Sequence, residues 1–160
     1  MQRFLSPITR MFEHALAFVM AVLVIAVVWQ VFTRYVLGHQ SSWTEELSTF
    51  LLMWAALLGA CVAFARDAHL GLDFFVKKLD GTSQKTVERY VHATTFLFGA
   101  VLAFGGYELA ARTLATNQIS PALGWKVGYI YAVLPLSGVY IALLALEKMV
   151  SSFKNAASDR

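Results

Sequence analysis

Charge is what this sequence has least of. Only 14% of its 160 residues are Asp, Glu, Lys or Arg, while 58% are hydrophobic, a balance that departs from water-soluble domains toward membrane residence. A soluble chain of this size would have to hide several unbroken, helix-length apolar runs inside one small core. A single cysteine, Cys61, excludes an intrachain disulfide. With no cation beside it to lower its pKa, it reads as a small apolar packing residue. Nucleophile-elbow, zinc-protease and phosphate-loop motifs are all missing, so no catalytic constellation is present and the chain is not expected to be an enzyme. The net charge of +3 is too small to argue for nucleic acid.

What is there is a series of spans. The run from Leu47 to Ala65 carries no charge and rises ~28 Å as a helix at ~1.5 Å per residue, close to the ~30 Å hydrocarbon core of a bilayer. It opens on Ser42-Trp43-Thr44-Glu45-Glu46 and closes on Arg66-Asp67-Ala68-His69, a chemically distinct rim at each end. Three further apolar stretches make the expected architecture an all-α integral membrane domain over 1–160. Its four transmembrane helices fall at about 12–35, 45–66, 90–111 and 126–147. The basic N-terminus ahead of the first run invites a signal-peptide reading. However, that run exceeds the ~7–15 residues of a signal core and ends in Trp29-Gln30-Val31-Phe32 without a small-residue cleavage site, so it reads as a retained span. Between the second and third spans, apolar Leu70, Leu72, Phe74, Phe75, Val76 and Leu79 alternate with Asp73, Lys77, Lys78 and Asp80. This suits a short amphipathic interfacial helix over about 70–80.

Local chemistry refines the spans. Ser42 and Glu45 fit a capping box, and Glu45 with Glu46 complements the positive end of the helix dipole. The same acidic pair could equally serve as a contact point for a partner or cation. Ala55, Gly59 and Ala63 recur every fourth residue, with Ala56 and Ala60 alongside, a stripe that would let a neighbouring backbone approach in lipid. Trp54 on the other side reads as a packing or lipid-facing residue. Pro135 inside the fourth span predicts a kink.

Orientation follows from the cations. Of the 13 lysines and arginines, all but Arg34, Arg112 and Lys126 fall on the side of both termini and the central loop, which places that side in the cytoplasm. No span carries Asp, Glu, Lys or Arg near its middle. Such residues cost roughly 2.5–3.5 kcal/mol to insert and usually mark ion or substrate routes, so their absence favours a scaffold or accessory subunit over a conduit. His14 and His92 lie at similar depth near the cytoplasmic ends of their spans. A bis-histidine haem in the membrane anchor of a quinone-linked dehydrogenase is therefore the alternative reading.

The ordered set of residues resembles the small membrane subunit of tripartite ATP-independent periplasmic (TRAP) transporters, the DctQ-like family. The resemblance rests on Arg34-Tyr35-Val36-Leu37-Gly38, Trp43-Thr44-Glu45-Glu46-Leu47, Trp54, Gly59-Ala60 and Arg66 to Asp73. It continues through Ser120-Pro121-Ala122-Leu123 and Tyr131 with Pro135. It implies a bacterial inner-membrane scaffold subunit without cofactor or metal. Its partners would be a large permease holding the sodium and substrate sites, a periplasmic binding protein that delivers an organic acid (a C4-dicarboxylate or a sugar acid), and membrane lipids. Trp43, Glu45, Glu46, Arg66 and His69 would fix the subunit in its partner and at the interface. Reporter fusions test the topology: cytoplasmic reporters are expected to be active at both termini and within 67–89, and periplasmic ones within 36–41 and 116–126. An inverted pattern would refute the charge-based orientation.

Overall fold

The computed structural model describes residues 2–39, 41–66 and 81–158, with side-chain detail over 7–39, 41–66, 87 and 90–150. The apolar runs become long helices because a backbone in lipid must satisfy its own hydrogen bonds. In chain order these are α1 (Gln2–Tyr35), α2 (Ser42–Ala65), α3 (Gly81–Ala115), the single turn α4 (Val127–Ile130) and α5 (Val133–Ser158). Four stretches are long and apolar enough to cross a bilayer: Pro7–Tyr35, Ser42–Ala65, Tyr90–Ala115 and Val127–Val150. Each exceeds the ~20 residues a span needs, which leaves room for tilt. Among the described residues there is no strand, only an isolated antiparallel bridge between Ile119 and Lys126. α3 starts at Gly81. The expected interfacial segment at 70–80 lies outside the described residues.

The polarity of the molecule is that of a membrane protein. Large apolar side chains such as Phe18 and Phe104 are 70% and 79% exposed, whereas Thr44, Ser120 and Ser137 are fully buried. Two of these hydroxyls are satisfied locally. Thr44 donates to the Ser41 carbonyl at 2.8 Å, and Ser137 to the Val133 carbonyl at 2.7 Å.

Two hairpins build the bundle, α1 against α2 and α3 against α5, joined where α2 meets α5. The first turns at Gly38, whose φ of +67° is a left-handed conformation that glycine adopts without strain. In the second the closest backbone approach is at glycine. A Cβ on Gly138 would press on the Ala103 nitrogen and lie 2.9 Å from the Gly99 carbonyl oxygen; one on Gly99 would sit 2.7 Å from the Ala142 nitrogen. One on Gly106 would come within 2.6 Å of the Leu134 Cβ. The seam on α3 is thus Gly99, Ala103, Gly106 and Ala110.

The small residues on α2 do not make a comparable seam within the chain. Ala55 is buried beside Val19 and Leu58, but a Cβ on Gly59 would meet nothing within 4 Å, and Ala63 is exposed. Helical geometry explains the difference. Steps of four residues advance a stripe by about 40° each, so Ala55, Gly59 and Ala63 rotate away from the bundle. Steps of four, three and four keep Gly99 to Ala110 on one face.

Two local expectations need correction. The capping box at Ser42 does not form at that register: Ser41 is the N-cap, without a side-chain capping bond, and Ser42 is already helical. Pro135 produces a break rather than a kink. The chain leaves helical geometry at Tyr131 and Ala132 before α5 begins. Proline has no N–H for the carbonyl four residues back, which is that of Tyr131, and its ring crowds that oxygen. The Tyr131 carbonyl instead accepts from Leu134 N at 3.0 Å.

The packing difference between glycines is testable by unfolding in detergent. Gly138→Ala should destabilise by about 1–3 kcal/mol, as overpacking does. Gly105→Ala, in open space, should be neutral or stabilising by up to ~1 kcal/mol from helix propensity. Equal behaviour of the two variants would remove the α3–α5 seam as the tightest contact.

Candidate functional site

The candidate site is an interface built around α2, and its two faces differ. One face is fastened to the rest of the chain from end to end. At its N-terminal end Glu46 accepts from the backbone N–H groups of Ala122 and Leu123 at 2.8 and 3.2 Å. Those donors belong to the loop between α3 and α4. The loop closes on itself through Ser120 N to the Trp125 carbonyl at 2.8 Å and Gly124 N to the Ser120 carbonyl at 3.0 Å. Asn117 and Gly124 supply its left-handed turns, with φ of 48° and 68°. A carboxylate that receives two backbone donors holds the whole loop against the helix start.

Midway along α2, the Trp54 indole N–H donates to the Ile130 carbonyl at 3.0 Å. That oxygen is available because Leu134 N, its normal partner in a continuous helix, has been drawn to Tyr131. Two turns further on, Cys61 is buried against α5, its sulfur 3.8 Å from the Ser137 carbonyl.

The C-terminal end is tied by charge. Arg66 donates from Nε to Glu13 Oε1 on α1 at 2.9 Å, with a second guanidinium nitrogen 2.8 Å from the same oxygen. Lys148 on α5 donates to the Phe64 carbonyl at 2.6 Å, satisfying one of the orphan acceptors at a helix end and setting a cation at the negative pole of the dipole. Beside them Phe12 and Tyr140 stack with centroids 4.5 Å apart, and the hydroxyls of Thr9 and Tyr140 share a 2.7 Å hydrogen bond.

The opposite face of α2 is open. Glu45, Thr49, Leu52, Ala56 and Ala63 are exposed along it, and Gly59 has no neighbour over its Cα. Trp43, 48% exposed at the start of α2, lies on the other side of the helix, about 200° around from Glu45. Where the other outward helix faces carry Phe18 or Ile25 on α1 and Leu97 or Phe104 on α3, this one is mostly small.

The structure therefore divides the residues singled out from sequence. Glu46 and Arg66 are engaged within the chain; Trp43 and Glu45 stand at the outward rim, and His69 lies outside the described residues. Sequence reasoning missed Lys148, Glu13 and Tyr140. Lys148 was readable as the cation next to the fourth apolar run, but nothing in the sequence pointed to Phe64 as its target. The His14 ring donates to the Arg10 carbonyl at 2.6 Å within its own helix. Glu108 and Arg112 pair one turn apart on an exposed surface. Among the described residues no three His, Cys, Asp or Glu side chains gather as a metal site would require.

These features define a class: a multi-pass helical membrane subunit whose charged groups gather toward the two ends of the bundle and which, among the described residues, leaves one small-residue helix face uncovered. The chain belongs to the DctQ component family of tripartite ATP-independent periplasmic transporters, whose family model matches residues 23–155. It is similar to the sialic acid TRAP transporter small permease protein SiaQ of Vibrio cholerae, at 30% identity over 84% of this chain and 77% of that one. It is also similar to a putative TRAP transporter small permease protein of Haemophilus influenzae, at 26% identity over 84% and 82%. A third relative is the sialic acid TRAP transporter permease protein SiaT of Haemophilus influenzae. It aligns at 22% identity with 81% of this chain but only 21% of its own length, so there the small component is continuous with a larger permease. The chain is thus a small permease subunit of a TRAP transporter and a multi-pass protein of the bacterial inner membrane, a transporter component that works with a large permease subunit. This assignment does not favour the haem-anchor alternative.

The bond that Trp54 makes can be weighed directly. Trp54→Phe should cost about 0.6–1.7 kcal/mol, the range for interhelical hydrogen bonds in membranes. Trp43→Phe, at the exposed rim, should leave the unfolding midpoint of the purified subunit in place. A Trp54→Phe protein as stable as the parent would show that the Ile130 carbonyl does not depend on the indole.

Proposed function

We propose that this subunit is the static support of a sodium-coupled TRAP importer for a small organic acid, with the solute and sodium path in the large permease. What carries the reading is the open face of α2. In lipid, helices associate through close van der Waals contact at small residues, and Thr49, Ala56, Gly59 and Ala63 give a partner helix such a surface on the side of α2 that the chain leaves bare. Glu45 at the entrance of that face is the polar contact that sets the register of the partner, and Trp43 at the start of the same helix and His69 are the further contacts the family resemblance implies. Glu46 and Arg66 act indirectly, by holding α2 rigid through the 116–126 loop and through Glu13.

The placement of charge supports the same division of labour. The polar ties at Glu46 and at Glu13, Arg66 and Lys148 belong to the two ends of the bundle, and the middle is spanned by apolar side chains with Trp54 and Cys61. A mobile transport domain in the permease then works against a fixed mass. The cytoplasmic placement of both termini puts the 116–126 loop on the periplasmic side, where a substrate-binding protein arrives. The relatives named for sialic acid support a carboxylated sugar as the solute.

Gly59→Leu is the direct test, because the position has room for a side chain inside the subunit. The variant should fold and insert normally yet lose co-purification with the large permease, with uptake falling in parallel. Retained assembly and uptake would move the interface elsewhere. Proteoliposomes holding this chain alone should take up no labelled organic acid.

A further inference from the structure

The face of the bundle opposite the proposed interface contains a groove of about 910 Å³ between α1, α2 and the α4–α5 segment, within the ~300–1,000 Å³ of ligand-sized sites. From the geometry we infer that it is a specific seat for an anionic phospholipid of the leaflet nearest the 116–126 loop, with the acyl region along the groove and the phosphate at Lys126.

Three observations carry this. The first is the character of the walls. They include Phe18, Phe50, Leu51, Trp54, Val133 and Leu136, bulky and uniformly apolar. Helix partners in membranes seek small residues for backbone contact and polar groups for interhelical bonds. A wall of aromatic and leucine side chains suits a flexible hydrocarbon chain, which can fill uneven gaps, better than a rigid helix.

The second is the placement of polarity. Lys126 is the one charged residue in the lining, and it sits at the loop end with Trp125 and Tyr129. Aromatic residues beside a cation mark the headgroup level of a bilayer, and a lysine there attracts an anionic headgroup. Lys126 is exposed, and its ammonium makes no hydrogen bond or ion pair with any described residue. Its carbonyl accepts from Tyr129 N at 3.1 Å as α4 begins, and its side chain stands at the mouth of the groove.

The third is that the groove exists because of the break at Tyr131. The chain turns at Tyr131 and Ala132 between α4 and α5, and residues on both sides of that turn, Ile130 and Val133, line the groove with Trp54 opposite them. The same break that frees the Ile130 carbonyl for the indole thus shapes the space.

The experiment is native mass spectrometry of the full subunit in detergent, offered equal amounts of palmitoyl-oleoyl phosphatidylglycerol and the matching phosphatidylcholine. One phosphatidylglycerol should be retained several-fold over phosphatidylcholine. Lys126→Gln should bring the ratio to parity, while Arg34→Gln, whose residue lies outside the groove, should leave it unchanged. Leu136→Trp, which fills the groove with Lys126 intact, should abolish the adduct without lowering the unfolding midpoint. No preference for the anionic lipid, or a preference that survives Lys126→Gln, overturns the inference. So does cross-linking of a cysteine at Phe50 to the large permease in the assembled complex, since the groove would then hold a helix of that subunit. These readouts do not use uptake and fail independently of the scaffold reading.

Discussion

A helix interrupted inside a bilayer exposes carbonyl oxygens where no water can reach them, and this fold depends on how one such oxygen is satisfied. Pro135 cannot donate to the Tyr131 carbonyl. Leu134 N moves into its place at 3.0 Å, which orphans Ile130. The indole of Trp54, 3.0 Å from the Ile130 oxygen, closes the account. An unsatisfied polar group in hydrocarbon costs several kcal/mol, so the proline in one hairpin and the tryptophan in the other are coupled, although they lie far apart in the chain. That single bond fixes the depth at which α2 meets the α4–α5 segment.

The remaining ties acquire their sense from it. With the middle of α2 pinned, its two ends are held by groups that would be expensive deeper in the membrane: the Glu46 carboxylate on the loop amides, and Arg66 and Lys148 reaching Glu13 and the Phe64 carbonyl. Ionisable side chains are tolerated there because they lie near the ends of the spans and find partners. The second hairpin is held differently. Gly99, Ala103, Gly106 and Gly138 bring α3 and α5 into backbone contact, so dispersion rather than charge secures it. The two hairpins are thus joined to each other by polar fastenings, the second is held within itself by close packing, and no described residue covers the outward side of α2 at Gly59.

How much of this could be read before the structure varies by residue. The four spans were legible because the length of an apolar run is a direct measure of bilayer thickness. The α2 stripe was legible as a pattern but not as a contact: four-residue spacing looks like a seam in sequence and rotates off the bundle in space. The seam on α3 was written with the better spacing, yet a glycine's neighbour is a property of another helix. The N-cap moved by one residue because Ser41, Ser42 and Thr44, clustered around Trp43, leave the choice to small energies.

Sequence alone determined that the chain is a membrane protein of four helices, to which family pattern it conforms, and that proline would disturb the last span, because composition, run length and backbone chemistry are properties of each segment by itself. Only the tertiary structure decided what the disturbance becomes, which acidic and basic residues are spent inside the subunit, and which face of α2 stays open. Those outcomes depend on which atoms from distant segments arrive within hydrogen-bonding or van der Waals distance. Forces that fall off over a few ångströms cannot be read from spacing along the chain.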